Sequence, residues 1–372
     1  MALEATALLG TRTGVGRFVE GALGALAARD ELDLTAFAVT WRRRGWLTRA
    51  VPAGVRVRQR PMPARPLHLA WSHGEVPPVE WFVGSADVVH GTNFVVPPTR
   101  RAARVVTVHD LTPLRFPQLC DPASLAFPAL VRRAVRRGAW VHTPTRTVAA
   151  EVVDAFGADP ERVRAVPHGI PEALPVAAGR RLPAAVQLPP GCRRIVLAVG
   201  TVEPRKDHPG LVEAFGLLAG SHPDVALVIA GADGWGADAL QQALRASPWR
   251  QRVVRPGYLS DADLAALVSR AEVLAYPSVY EGFGFPPLEA MRAGVPVVAT
   301  AVPAVAEVAG DAAALVPSGD AAALAAALQA VLDDEHQRDR LVAAGRRRAA
   351  GFTWEACAAG LAALYRDAAD AR

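Results

Sequence analysis

Short apolar runs alternate along this chain with longer stretches whose hydrophobic positions recur three and four residues apart. The runs at 34–40, 88–89, 105–108, 163–166, 194–199, 226–230, 273–276 and 295–300 have few polar interruptions, as expected of strands buried on both faces. Residues 2–9, apolar except for Glu4 and Thr6, predict a first strand of the same kind. Helical spacing predicts helices over 19–28, 130–140, 261–270, 321–332, 335–350 and from Trp354 to about Ala368. Thr145 and Thr353 stand where N-caps belong. Strand–helix alternation in both halves predicts two doubly wound α/β domains built on parallel sheets. Proline, alanine and glycine crowd the stretch between Pro167 and Pro190, which reads as a linker. The expected division is a first domain over 1–175, a linker over 176–190, a second domain over 191–350 and a terminal helix over 351–372.

The 372 residues exceed one typical core, and a hydrophobic share of 51% excludes a disordered chain. No apolar run reaches the eighteen residues or so that a spanning helix requires. Cys120, Cys192 and Cys357 have no metal-like spacing, and their odd number speaks against a disulfide framework. All three read as buried thiols of a cytoplasmic protein. The net charge of +5 is uneven. Residues 1–188 carry 24 basic against 15 acidic side chains, giving +9, and the remainder carries 17 against 21, giving −4. An anionic partner is therefore expected at the first half only, with no nucleic acid. Arginines cluster at Arg42–Arg44 beside Trp41 and Trp46, a pattern suited to a lipid headgroup surface or to a plain solvated loop. Arg132, Arg133, Arg136 and Arg137 predict one basic helical face.

Candidate chemistry lies at the ends of the predicted strands. After the run at 273–276 comes Ser278-Val-Tyr-Glu281-Gly282-Phe283-Gly284-Phe285-Pro-Pro-Leu-Glu289. Pro287 reads as the first residue of a helix, with Glu281 in the loop ahead and Glu289 in the first turn. Gly282 and Gly284 would leave backbone amides uncovered, which makes a phosphate-sized anion site flanked by two carboxylates. Taken alone, Glu289 could equally complement the helix dipole. A second strand end carries Gly200-Thr201-Val-Glu-Pro-Arg205-Lys206, whose planar and compact cations suit a pyrophosphate. Lys206 reads as an exposed loop cation. Gly14 and Gly16 follow the first strand in a glycine turn that lacks the third glycine of a dinucleotide fingerprint. His109-Asp110 ends another strand, where open parallel sheets place ligand residues.

Glu281 and Glu289, seven residues apart within Glu-Gly-Phe-Gly-Phe-Pro-Pro-Leu-Glu-Ala-Met, resemble the signature of family 4 retaining glycosyltransferases. The resemblance covers nearly the whole chain and implies two Rossmann-like domains facing a cleft, the GT-B fold. It further implies an acceptor-binding first domain, a donor-binding second domain and a terminal helix that returns to the first. On this resemblance Glu281 and His109 meet the donor sugar, Glu289 holds the ribose, and Arg205 and Lys206 meet the diphosphate. Gly14, Gly16, Gly200 and Thr201 would lie near the pyrophosphate, and Tyr258 would edge the base pocket. Thr201 departs from the family, many of whose members have arginine directly after the glycine. Glu-Pro-Arg-Lys resembles the mannosyltransferase branch, so GDP-mannose is the favoured donor, with UDP- or TDP-sugars next. The acceptor is expected to be a glycan, a lipid-linked sugar or a small molecule. No metal or other cofactor is expected. An epimerase or phosphorylase on the same scaffold, or a catalytically dead binding protein, remain alternatives to transfer.

Overall fold

A computed structural model describes residues 1–10, 13–41, 44–122, 124–172 and 181–372. Thr11 and Arg12 of the glycine turn, Arg42 and Arg43 of the first arginine cluster, and residues 176–180 of the linker read at 176–190 lie outside the described residues. The chain divides into two units, Met1–Pro171 with Phe352–Arg372, and Glu172–Gly351.

The first unit is built on a parallel sheet of seven strands: β1 (Ala2–Glu4), β2 (Thr35–Phe37), β3 (Arg56–Arg58), β4 (Val88–Gly91), β5 (Ala103–Thr107), β6 (Trp140–Thr143) and β7 (Val163–Ala165). Their order is β3-β2-β1-β4-β5-β6-β7, so the direction of winding reverses between β1 and β4. The second unit has six parallel strands: β8 (Arg194–Val199), β9 (Val225–Ala230), β10 (Val253–Gly257), β11 (Val273–Tyr276), β12 (Val297–Thr300) and β13 (Ala314–Val316). Their order is β10-β9-β8-β11-β12-β13, with the reversal between β8 and β11. Ligands in open α/β sheets bind beyond the carboxyl ends of strands at such reversals. Most strands are apolar on both faces because helices cover both, and β9 is buried throughout.

Several predicted boundaries shift. The first strand stops at Glu4, and Thr6–Leu9 turn into a 3₁₀ helix. The next helix runs from Gly14 to Ala27, so Gly14 and Gly16 lie in its first turn rather than in a loop. The helix expected over 130–140 is Phe127–Arg136, and Trp140 already belongs to β6. Its arginines do not make one open basic face. Arg133 pairs with Glu75 at 2.7 Å, Arg137 lies 3.7 Å from the same carboxylate, and Arg132 stacks on Phe156. Cys192 and Cys357 are buried, whereas Cys120 is only half-buried. Both threonine caps form: Thr145 accepts from the amide of Val148, and Thr353 from that of Ala356.

The terminal helix, Trp354–Asp370, packs on the helix Gly14–Ala27 within the first unit. Glycine permits that approach. A Cβ on Gly21 would stand 2.1 Å from the Trp354 ring, and one on Gly169 would stand 2.4 Å from the Trp354 amide nitrogen.

Candidate active site

In the second unit, the loop after β8 and the end of β11 bring four charges together beside the sheet's reversal point. Lys206 Nζ lies 2.5 Å from Glu281 Oε1, and Arg205 Nη1 lies 2.5 Å from Glu281 Oε2. Arg205 also reaches Glu203 at 3.2 Å and donates to the Tyr280 carbonyl at 3.0 Å. Lys206 donates to the Tyr276 hydroxyl at 3.1 Å. The Glu281 side chain is only 8% exposed, and that of Lys206 12%, so Lys206 is not the open loop cation that its setting suggested. Burial alone would raise the Glu281 pKa, but Arg205 and Lys206 outweigh it and hold the carboxyl down at about 2. Desolvation instead lowers the Lys206 pKa, against the pull of Glu281. Two carboxylates and two cations cancel, so the cluster is neutral as it stands.

The helix expected to offer an anion site is Phe285–Arg292. It starts two residues earlier than Pro287, which moves Glu289 from the first turn to the second. Gly284 takes φ 108°, a backbone region that favours glycine, and turns the chain into the helix without a side-chain cap. Glu281, Gly282, Phe283, Gly284 and Phe285 are all buried, so the loop is not the uncovered one its glycines suggested. Its two rings pack on each other, Phe283 edge-on to Phe285 at 5.3 Å. Gly200 lies under Lys206: a Cβ there would be 3.3 Å from Lys206 Cε. Thr201 follows it, half-buried. Tyr258 sits beyond β10 and is 51% exposed.

The first unit has its own polar layer at strand ends, centred on His109. His109 Nε2 donates to the Thr92 carbonyl at 2.9 Å, which leaves Nδ1 as the acceptor in the neutral ring. Behind it runs a buried chain whose direction follows from its last link. His142 Nε2 lies 2.9 Å from the Val166 carbonyl and must therefore donate. Its Nδ1 then accepts from Thr107 at 2.9 Å, Thr107 accepts from His90 Nε2 at 2.7 Å, and His90 Nδ1 accepts from Tyr365 at 2.7 Å. Phe18 packs against His109, His142 and His168. Desolvation pulls the pKa of His142 down to about 3 and those of His90 and His168 well below the usual value.

Strand-end position and motif resemblance together pointed to His109, Arg205, Lys206 and Glu281, and the last three meet in space. Glu203 and Tyr276 were not singled out, the latter because it closes an apolar run. One signal was available: among 41 basic side chains, Lys206 is the single lysine.

Residues 184–348 match the family model for glycosyl transferases group 1, and residues 13–169 that of a glycosyl transferase 4-like domain. The chain is 30% identical over 281 residues to the O-antigen chain mannosyltransferase B of Escherichia coli, covering 73% of this chain and 71% of that protein. It is 45% identical over 114 residues to the MMP alpha-(1->4)-mannosyltransferase of Mycolicibacterium hassiacum, 30% of this chain and 28% of that one. Among solved structures, Anabaena Alr3699/HepE in complex with UDP matches with a TM-score of 0.69 at 17% identity over 98% of this chain and 99% of that one, a likeness of fold.

Proposed function

Because the chain belongs to the family 4 glycosyltransferases, in their mannosyltransferase branch, we propose that it moves mannose from GDP-mannose to a glycan or lipid-linked acceptor. Transfer proceeds with retention at the anomeric carbon and without a metal. The observation that carries this reading is the Lys206–Glu281–Arg205 cluster beside the uncapped start of the helix Phe285–Arg292. Charge in such a transfer develops on the departing diphosphate and on an oxocarbenium-like sugar, so preorganised cations and amides on one side and oxygen acceptors on the other lower the barrier. Lys206, with Arg205, stabilises the diphosphate, Glu289 binds the ribose, and Glu281 orients the sugar, the role the resemblance also gives to His109. The donor's own anion replaces Glu281 at the two cations, which releases that carboxylate towards the sugar hydroxyls.

Thermal shift tests the donor and the two glutamates together. GDP at about 100 times its dissociation constant should add roughly 2.7 kcal/mol of stability. Glu289→Ala should weaken that binding by about 2 kcal/mol, the scale of lost hydrogen bonds to a charged partner. Glu281→Ala should bind GDP at least as well as the parent, because it removes the carboxylate that competes for both cations, yet fail in turnover. Loss of nucleotide in both variants alike would reverse the assignment. A UDP-sugar is the second reading, motivated by the UDP-bound structural neighbour. Stabilisation by UDP with none by GDP would establish it.

The acceptor reading rests on the +9 excess of residues 1–188 and on Trp41, Trp46 and Trp81, each more than half exposed. No described helix is long and apolar enough to cross a membrane. About 1 kcal/mol per basic residue near an anionic surface suffices for reversible attachment by a few arginines. Cosedimentation with anionic vesicles is expected at low salt and should fade towards 1 M, where the Debye length is about 3 Å. Replacing Arg42, Arg43 and Arg44 with serine should weaken it, and an unbound parent at low salt would favour an acceptor free in solution.

A further inference from the structure

Tyr276 ends β11 and is 2% exposed, yet its hydroxyl is turned into the charged cluster. It accepts from Lys206 Nζ at 3.1 Å, and the same ammonium lies 4.8 Å from the centre of its ring. The phenol also hydrogen-bonds the Glu281 carboxylate, to which only its proton can be given. On its other side the ring supports the helix start: a Cβ on Gly284 would stand 3.8 Å from Tyr276 Cε1. One buried side chain therefore binds the lysine and lies beside the glycine that opens the helix, the two parts of the site that would meet a diphosphate.

We propose that Tyr276 is a positioning residue for transfer, holding the Lys206 ammonium in place when Glu281 turns from the cations to the donor sugar. The proposal rests on the transfer reading above. Lys206 has three N–H donors. In the resting cluster one goes to Glu281 and one to Tyr276. When donor displaces Glu281, the bond to Tyr276 and the ring beneath it remain, and the other two donors face the diphosphate oxygens. Without the hydroxyl, the freed ammonium would sample the four-carbon reach of its stem, and each turnover would wait for it to return.

The single lysine makes the test direct. Protein labelled with 13C-lysine gives one side-chain ε-carbon signal, whose titration reports Lys206 without any need for activity. Tyr276→Phe keeps the ring and its cation–π contact and removes only the hydroxyl. Its Lys206 should titrate at lower pH than in the parent, because an acceptor that favours the charged form is gone. Turnover should fall at least about tenfold, the factor for one hydrogen bond to a charged group, with KM for donor little changed. An unchanged titration midpoint, or unchanged turnover, overturns the proposal. A lowered midpoint in a protein whose parent neither binds GDP or UDP nor transfers sugar would leave Lys206 held by Tyr276 and refute the transfer reading instead.

Discussion

Lys206→Ala should lower turnover of the nucleotide-sugar donor about 100-fold or more, the scale on which one preorganised charge-stabilising group acts. The expectation follows from how few cations the site can spare. Arg205 is committed to Glu203, to Glu281 and to the Tyr280 carbonyl. Lys206 makes its bonds to two side chains, one of which donor would displace. Its loss also has a folding cost that an open loop cation would not have. Glu281 would keep Arg205, so the carboxylate is not orphaned, and about 1–3 kcal/mol is the expected destabilisation. A lower melting temperature with native circular dichroism, together with the loss of rate, is the combined signature. Near-parental turnover in the folded variant would refute the phosphate role. Lys206→Arg should not restore the full rate, since a planar fork cannot occupy the place of a compact ammonium between Tyr276 and Glu281.

The second large effect is on stability, and acid reveals it. His90, His109, His142 and His168 all have folded pKa values below the ordinary histidine value, chiefly through burial. The groups facing them are Tyr365, Thr107, Thr92, Phe18 and, beside His109, Asp110, whose charge only partly offsets the burial. Below about pH 6.5 the unfolded chain takes up protons that the folded first unit refuses. The stability of the neutral rings is thus complete above that pH and is lost as pH falls towards the folded values, about 3 for His142. Each such ring removes up to about 1.4 kcal/mol per pH unit, which for several of them rivals a total stability of 5–15 kcal/mol. Denaturant titrations between pH 7.5 and 5 should show stability falling steeply, with a shallower slope in His142→Gln. Constant stability across that range would refute the assignment of buried neutral rings. The Glu281 carboxyl adds nothing in this window, because its depressed pKa costs stability only as pH falls below the ordinary carboxylate value towards about 2.

The sequence made the two parallel sheets legible because their strands, apolar on both faces, leave continuous runs such as Ile195-Val-Leu-Ala198. Boundaries were poorer where two tendencies compete. Ala5-Thr-Ala-Leu-Leu9 has the composition of a strand, but once Glu4 has accepted the amide of Thr6 at 2.8 Å the chain turns into a 3₁₀ helix. At Phe285 the two prolines lack amide protons that the first helical turn does not need, so the helix begins before them rather than at the second. Within the site, motif spacing located Glu281, Arg205 and Lys206. It could not show that they neutralise one another, because ion pairing depends on where β8 and β11 end side by side. Tyr276 was illegible for a related reason. In a run buried on both faces, nothing in the pattern says which residue's polar tip turns towards the ligand end.

The return of Trp354–Asp370 to the first unit has a consequence for the order in which the protein is made. Glu172–Gly351, 180 residues by subtraction of its bounds, must be synthesised before the first unit can receive its last helix. At ribosomal speeds of about 5–20 residues per second that interval is on the order of 10–40 s. Through it the surface around Gly21 and Gly169 stands uncovered, and His90 lacks the Tyr365 hydroxyl. The inserted unit, whose sheet is contiguous in the chain, can close as soon as it emerges. Nascent chains of this protein are therefore most open to proteases and chaperones in the unit made first, until Trp354–Asp370 has emerged to cover it.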